Sequence, residues 1–197
     1  LGGSANDELR IIIPTSDGGY IAGGGSASGI SATKSESSIG DYDYWVIKFD
    51  VDGNTEWENT IGGDRDDFVS AMLETIDGGY IIAANSESDI SGDKTEDRWA
   101  PYLNSTDYWI IKLDAEGTIV WQNTIGGEYK DWITSINQTA DGGYILGELS
   151  RSPITGDKTE AAFCGGEDLW IIKITSIGTI QWQNTIGGCA TDRVNSI

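Results

Sequence analysis

Few side chains in this sequence could run acid–base, nucleophilic or metal chemistry. Histidine is absent, and cysteine occurs twice, at Cys164 and Cys189. Without histidine the commonest general base and the commonest metal ligand are both missing. Two cysteines cannot build a structural zinc site. What remains is carboxylate, with 32 Asp and Glu against 12 Lys and Arg. Asp89, Asp93, Asp107 and Glu128 would be the candidates for a glycosidase- or lyase-type pair. No spacing pairs them, and Asp is common in loops because it bonds its own backbone. The sequence therefore reads as a non-enzyme.

The same carboxylates could instead hold Ca²⁺, which takes six to eight oxygens. Three phrases recur, Ile30-Ser-Ala-Thr-Lys-Ser-Glu36, Ile90-Ser-Gly-Asp-Lys-Thr-Glu96 and Ile154-Thr-Gly-Asp-Lys-Thr-Glu160, and an Asp follows each at 43, 107 and 168. Asp89, Asp93, Asp107, Asp157 and Asp168 are the candidate ligands. The competing reading is that Asp and Thr make local turn bonds while Lys pairs with Glu. On that reading no cofactor is required and calcium is the one left open. Asp50-Val-Asp52-Gly53 also looks like the start of a calcium loop, but its third copy, Thr175-Ser-Ile-Gly178, points to a hairpin turn. Aromatic rings in loops suit sugars, because they stack on pyranose faces. Trp99 and Tyr102 have no counterparts in the other copies, and Tyr42, Tyr129 and Trp132 fall near the same loops. These five are candidate ligand contacts, with packing over neighbouring loops as the alternative for Trp99 and Tyr102.

The elements that position these residues come from an internal repeat. Asp-Gly-Gly-Tyr stands at 17–20, 77–80 and 141–144, and tryptophan recurs at 45, 109 and 170. Three copies of a unit of about 62 residues fill the chain, at about 1–63, 64–127 and 128–188, with 189–197 starting a further strand. Each unit reads as four strands, A to D. In the second copy these are Phe68–Thr75, Tyr80–Asn85, Tyr108–Leu113 and Thr118–Ile125. Gly-containing turns join A to B and C to D, and a long polar loop joins B to C. Strand C is apolar on both faces, with Trp109 and Ile111 on one and Tyr108 and Ile110 on the other. A sheet with one wet face would alternate, so each sheet is expected to lie between neighbours. No segment has a helical period with caps.

A four-stranded meander repeated in this way predicts an all-β, β-propeller-like fold. A β-solenoid or β-prism-like stack is the runner-up. Propellers close with about four to eight blades, so three blades imply a larger ring, completed by the same protein or by a second copy. The chain opens at Leu1, inside a repeat, and reads as a processed product or an excerpt of a longer protein.

The pattern DGGY, a polar loop, D-Y-W-(V/I)-I-K-(L/F)-D-x-x-G and W-x-N-T-I-G-G resembles a repeat family of large secreted, Bacteroidetes-type proteins. These are associated with type IX secretion, and similar repeats occur in some archaeal surface proteins. The resemblance covers essentially the whole chain. It implies a propeller-like fold, an extracellular or cell-surface setting, and adhesion or polymer binding.

In a meander the A–B and C–D turns share one rim, and the B–C and D–A connections share the other. The B–C loops, about Ser26–Tyr42, Ser86–Thr106 and Ser150–Glu167, are long and variable, and such loops are where binding sits. Cys164 lies in the third B–C loop and Cys189 in the D–A connection of the same copy. A disulfide between them is expected, worth about 3 kcal/mol by loop entropy and suited to an oxidising compartment. Asn104-Ser-Thr106 and Asn137-Gln-Thr139 match the N-glycosylation pattern, the second within strand A. A net charge of −20 repels phosphate backbones and anionic bilayers, which excludes nucleic acid and disfavours membrane surfaces. No apolar run reaches the length of a membrane span. The function expected is a non-catalytic extracellular module that binds a glycan, a polymer or a surface protein through its loops, with a structural spacer as the alternative.

Overall fold

The computed structural model describes residues 1–103, 105–190 and 192. Among the described residues twelve strands form three four-stranded antiparallel sheets, each an unbroken meander in chain order. Sheet one holds β1 (Asp7–Pro14), β2 (Tyr20–Ser26), β3 (Asp43–Phe49) and β4 (Thr55–Ile61). Sheet two holds β5 (Asp67–Glu74), β6 (Tyr80–Ser86), β7 (Asp107–Leu113) and β8 (Ile119–Ile125). Sheet three holds β9 (Asp131–Gln138), β10 (Tyr144–Ser150), β11 (Asp168–Ile174) and β12 (Ile180–Ile186). The only helical element among the described residues is one 3₁₀ turn, Phe163–Gly165. No helix among them is long and apolar enough to cross a membrane.

The apolar-on-both-faces pattern of strand C is realised in full in β7, where all seven residues are buried. One core lies between sheets one and two, with Tyr44 and Val46 facing Ile82, Trp109 and Ile111. A second lies between sheets two and three, with Tyr108 and Ile110 facing Leu146, Trp170 and Ile172. The Tyr–Trp contact recurs in both, at 5.2 Å for Tyr44–Trp109 and 5.5 Å for Tyr108–Trp170. β5 packs against β1, β2 and β3, and β9 packs against β5, β6 and β7.

The sequence motifs have local causes. In the Asp-Gly-Gly-Tyr turn the first glycine carries positive φ, +88° at Gly18 and +80° at Gly78 and Gly142. Such a conformation suits glycine. The second glycine lies against the Lys48, Lys112 or Lys173 ammonium, where a Cβ would collide. Those lysines, buried in strand C, bond the turn aspartates, at 2.8 Å for Lys48–Asp17 and 3.1 Å for Lys112–Asp77 and Lys173–Asp141. One feature has no sequence signal. A bulge in each strand A places an extra residue, Arg10, Ser70 or Thr134, out of the ladder, which increases local twist.

Candidate functional site at the loop rim

The described residues of the B–C loops, 27–42, 87–103, 105–106 and 151–167, are pinned down by the recurring phrase itself. Lys94 turns inward and is buried over the Trp109 ring at 5.6 Å. It donates to Thr124 Oγ1 at 2.5 Å and to the Glu96 carbonyl at 2.7 Å. Burial pushes its pKa down to about 8. Lys34 and Lys158 take the same place over Trp45 and Trp170, at 5.4 and 5.1 Å. The closing glutamates accept a backbone N–H from strand D, from Thr60 to Glu36 at 2.6 Å, Thr124 to Glu96 at 2.5 Å and Thr185 to Glu160 at 2.6 Å. Each phrase thus clips its loop to its own sheet through charge-assisted bonds.

Of the five aspartates considered for calcium, Asp89, Asp93 and Asp157 lie in two B–C loops while Asp107 and Asp168 open β7 and β11, and each accepts from a protein donor. Asp93 and Asp157 reach the preceding sheet, where Oδ2 takes the Gly62 and Gly126 N–H, both at 3.2 Å. Asp107 Oδ2 accepts from the Trp99 backbone at 2.5 Å, and Asp168 Oδ2 accepts from Phe163 N. Asp89 pairs with the buried Arg98 at 3.2 Å. Among the described residues no group of three or more Asp, Glu or Cys is placed to hold a metal ion.

The depth of burial separates the acids that open the strands. Asp7, Asp67 and Asp131 open strand A of the three sheets and face matching donors. These are Gly3 N–H with Ser26 and Ser28, Gly63 N–H with Ser86 and Ser88, and Gly127 N–H with Ser150 and Ser152. For Asp7 burial raises the pKa, but its hydrogen bonds outweigh that and hold it below the ordinary value. Burial wins at the other two, pushing Asp67 up to about 7 and Asp131 up to about 6. Asp107 is pushed up to about 8, by burial first and then by the neighbouring Asp131 carboxylate. Its Oδ1 lies against Gly126 with no hydrogen-bond partner among the described residues.

Two of the candidate aromatics come together. Tyr102, from the longest loop, stacks on Tyr129 of the following D–A connection, with centroids 5.7 Å apart and planes 4° apart. The Tyr102 hydroxyl donates to Glu128 Oε1 at 3.4 Å. Both rings are exposed, at 47% and 42%. Trp99 lies across Gly156 of the next loop and donates Nε1–H to Asp157 Oδ2 at 2.9 Å, with 53% of its surface still exposed. Packing over a neighbouring loop and an exposed face therefore coexist in one ring. Trp132 is partly buried under Lys130, which sits 4.4 Å from its centroid. Tyr42 lies against Phe68 at 6.1 Å, at the junction of sheets one and two. A cleft of about 390 Å³ opens beside Tyr129, lined by Arg151, Pro153, Ala161 and Ala162.

Sequence reasoning missed two residues here. Arg98, buried, bonds the Tyr102 and Ser105 carbonyls at 3.0 Å and shapes the loop that carries Tyr102. Arg151 pairs with Glu167 at 2.8 Å beside the cleft. An arginine in a polar loop gives no signal of its own fold-back. The expected disulfide joins Cys164 to Cys189, with Cα atoms 4.9 Å apart. Asn104 of the first glycosylation pattern lies outside the described residues, as do 191 and 193–197 of the expected further strand. Trp182 of β12 is 45% exposed, whereas its counterparts Trp57 and Trp121 are partly buried and packed against the cores. The chain matches no known protein-family model and no curated protein.

Proposed function

We propose that this chain is an arc of a propeller-like ring and works as a non-catalytic, extracellular binding module for a glycan, through the loop rim of sheets two and three. The observation that carries the reading is the exposed Tyr102–Tyr129 stack beside the Arg151 cleft. Its flat rings offer a negative π face to the C–H face of a pyranose. Glu128 accepts from the Tyr102 hydroxyl and Arg151 lines the cleft beside Tyr129, so both polar groups border the stack. The propeller-like arrangement is supported by the repeated Tyr-on-Trp packing and by first strands that neighbour one another from sheet to sheet. The extracellular setting is supported by the disulfide. With a formal charge of −20, neutral or cationic polymers are favoured over anionic ones.

A glycan array followed by calorimetry tests this. Tyr129→Ala is expected to weaken the best neutral oligosaccharide by about ten-fold or more, in line with the loss of an exposed aromatic anchor, while the melting temperature stays within about 2 °C. The second reading, a spacer in a larger surface protein, is favoured by the inward use of the loop lysines and carboxylates. An array with no binding above background would replace the first reading with the second.

A further inference from the structure

Among the described residues sheet one leaves one face uncovered, and the internal packing shows what such a face accepts. In sheet two the face carrying Trp109 is roofed by sheet one, and Val69 and Met72 on it are 4% and 5% exposed. In sheet one the matching residues are Leu9 and Ile12, and they are 68% and 55% exposed. With Ala22, Trp45, Ile47 and Phe49 they line a largely apolar groove of about 340 Å³. We propose that this groove is a docking surface for one further four-stranded sheet of the same repeat, joined in line and seated by the face that carries Tyr44 in sheet one and Tyr108 in sheet two. The proposal rests on reading the sheets as successive blades.

Two sets of contacts fix how the sheet would seat. At each internal junction the last strand of one sheet hooks the C–D turn of the next. Trp57 Nε1 donates to the Ala115 carbonyl at 3.0 Å and Asn59 Nδ2 to the Gly117 carbonyl at 2.6 Å. Trp121 and Asn123 repeat this on Ser176 and Gly178, at 3.1 and 2.7 Å. The turn of sheet one holds Val51 and Gly53 at the corresponding positions. The second set involves Leu1–Gly3. Gly2 N donates to Thr33 Oγ1 at 2.9 Å, and the Gly2 carbonyl accepts from Thr33 N at 3.3 Å. Gly62 makes the same exchange with Asp93, and Gly126 with Asp157. Leu1–Gly3 thus lie on sheet one as Ile61–Gly63 lie on sheet two. A strand D running into Leu1 would deliver its sheet directly onto the Trp45 face. A second copy fits less well, because its Ile186–Gly188 would have to displace those three residues.

The test is a chain in which residues 128–188 replace Leu1–Gly3, adding one repeat in line. Hydrogen exchange at β2 and β3 is expected to slow by about ten-fold or more against the original chain. Ile12→Lys, at a half-exposed position, is expected to leave the original chain's exchange unchanged and to abolish the slowing in the extended one. Unchanged exchange in β2 and β3 overturns the proposal, whether or not the added repeat is itself protected. A dimer of the original chain in sedimentation, dispersed by Ile12→Lys, would assign the groove to a second copy and overturn the in-line form. The readout lies on the sheet faces, so failure of glycan binding at the loop rim leaves it standing.

Discussion

The first and middle sheets are built from nearly the same words, yet they differ in surroundings. Among the described residues sheet two is covered on both faces, while sheet one is covered on one. Trp45 and Trp109 occupy the same place in strand C, over Lys34 and Lys94 respectively. Trp109 also meets Tyr44 from a neighbouring sheet, and Trp45 meets no such ring among the described residues. Asp7 and Asp67 occupy the same place in strand A with the same kinds of donor, yet their pKa values move in opposite directions. Sequence identity at a repeat position sets the hydrogen-bond partners. The depth of burial, which differs between the two sheets, sets how far each group is desolvated.

The two sheets should differ most in packing. Trp109→Ala is expected to cost about 3–5 kcal/mol, as for a large ring removed from a closed core. Trp45→Ala should cost roughly half of that or less, because one side of its ring already borders an open groove. Urea titrations of the two variants check this, and equal losses would mean that covering by a sheet matters little. Next in size is the disulfide. Cys164→Ser with Cys189→Ser should lower stability by about 3 kcal/mol or less, with exchange in β11 and β12 rising more than in sheet one.

The buried carboxyls should make stability depend on pH. Raised carboxyls favour the folded state only while protonated, so their contribution is complete below the unfolded value near 3.8 and is lost as pH rises through the folded ones. With Asp131 at about 6, Asp67 at about 7 and Asp107 at about 8, stability should fall across about pH 4 to 8. Asp107→Asn should flatten the upper part of that fall. Asp7→Asn should not, because its depressed pKa acts only on the acid side, below about pH 4. Melting temperatures across the pH range decide it. The smallest expected effect is that of calcium. Each candidate aspartate already holds a protein donor, so a chelator should shift the melting temperature by less than about 1 °C.

Much of the fold was legible because its signals are local. The Asp-Gly-Gly turns, the doubly apolar strand C and the cysteine pair each follow from residue type and spacing. The bulges at Arg10, Ser70 and Thr134 were not legible, because register depends on the partner strand and no shared residue marks them. The candidate site was legible in part. Tyr102 and Tyr129 are brought together, but Asp93 and Asp157 turned out to brace the preceding sheet, a contact between repeats that no single repeat encodes. Trp182 shows the converse, since its motif matches Trp57 and Trp121 while its surroundings do not.

The inward lysines have a practical consequence for chemical labelling. Lys34, Lys48, Lys94, Lys112, Lys158 and Lys173 are all at most 7% exposed, and only Lys130 among the lysines lies open to solvent. Acylating reagents should therefore find Lys130 first among the lysines. Since Lys130 adjoins Tyr129, tethering through amines would bury the aromatic stack against a support, whereas a fluorophore on the same nitrogen would sit beside it as a reporter.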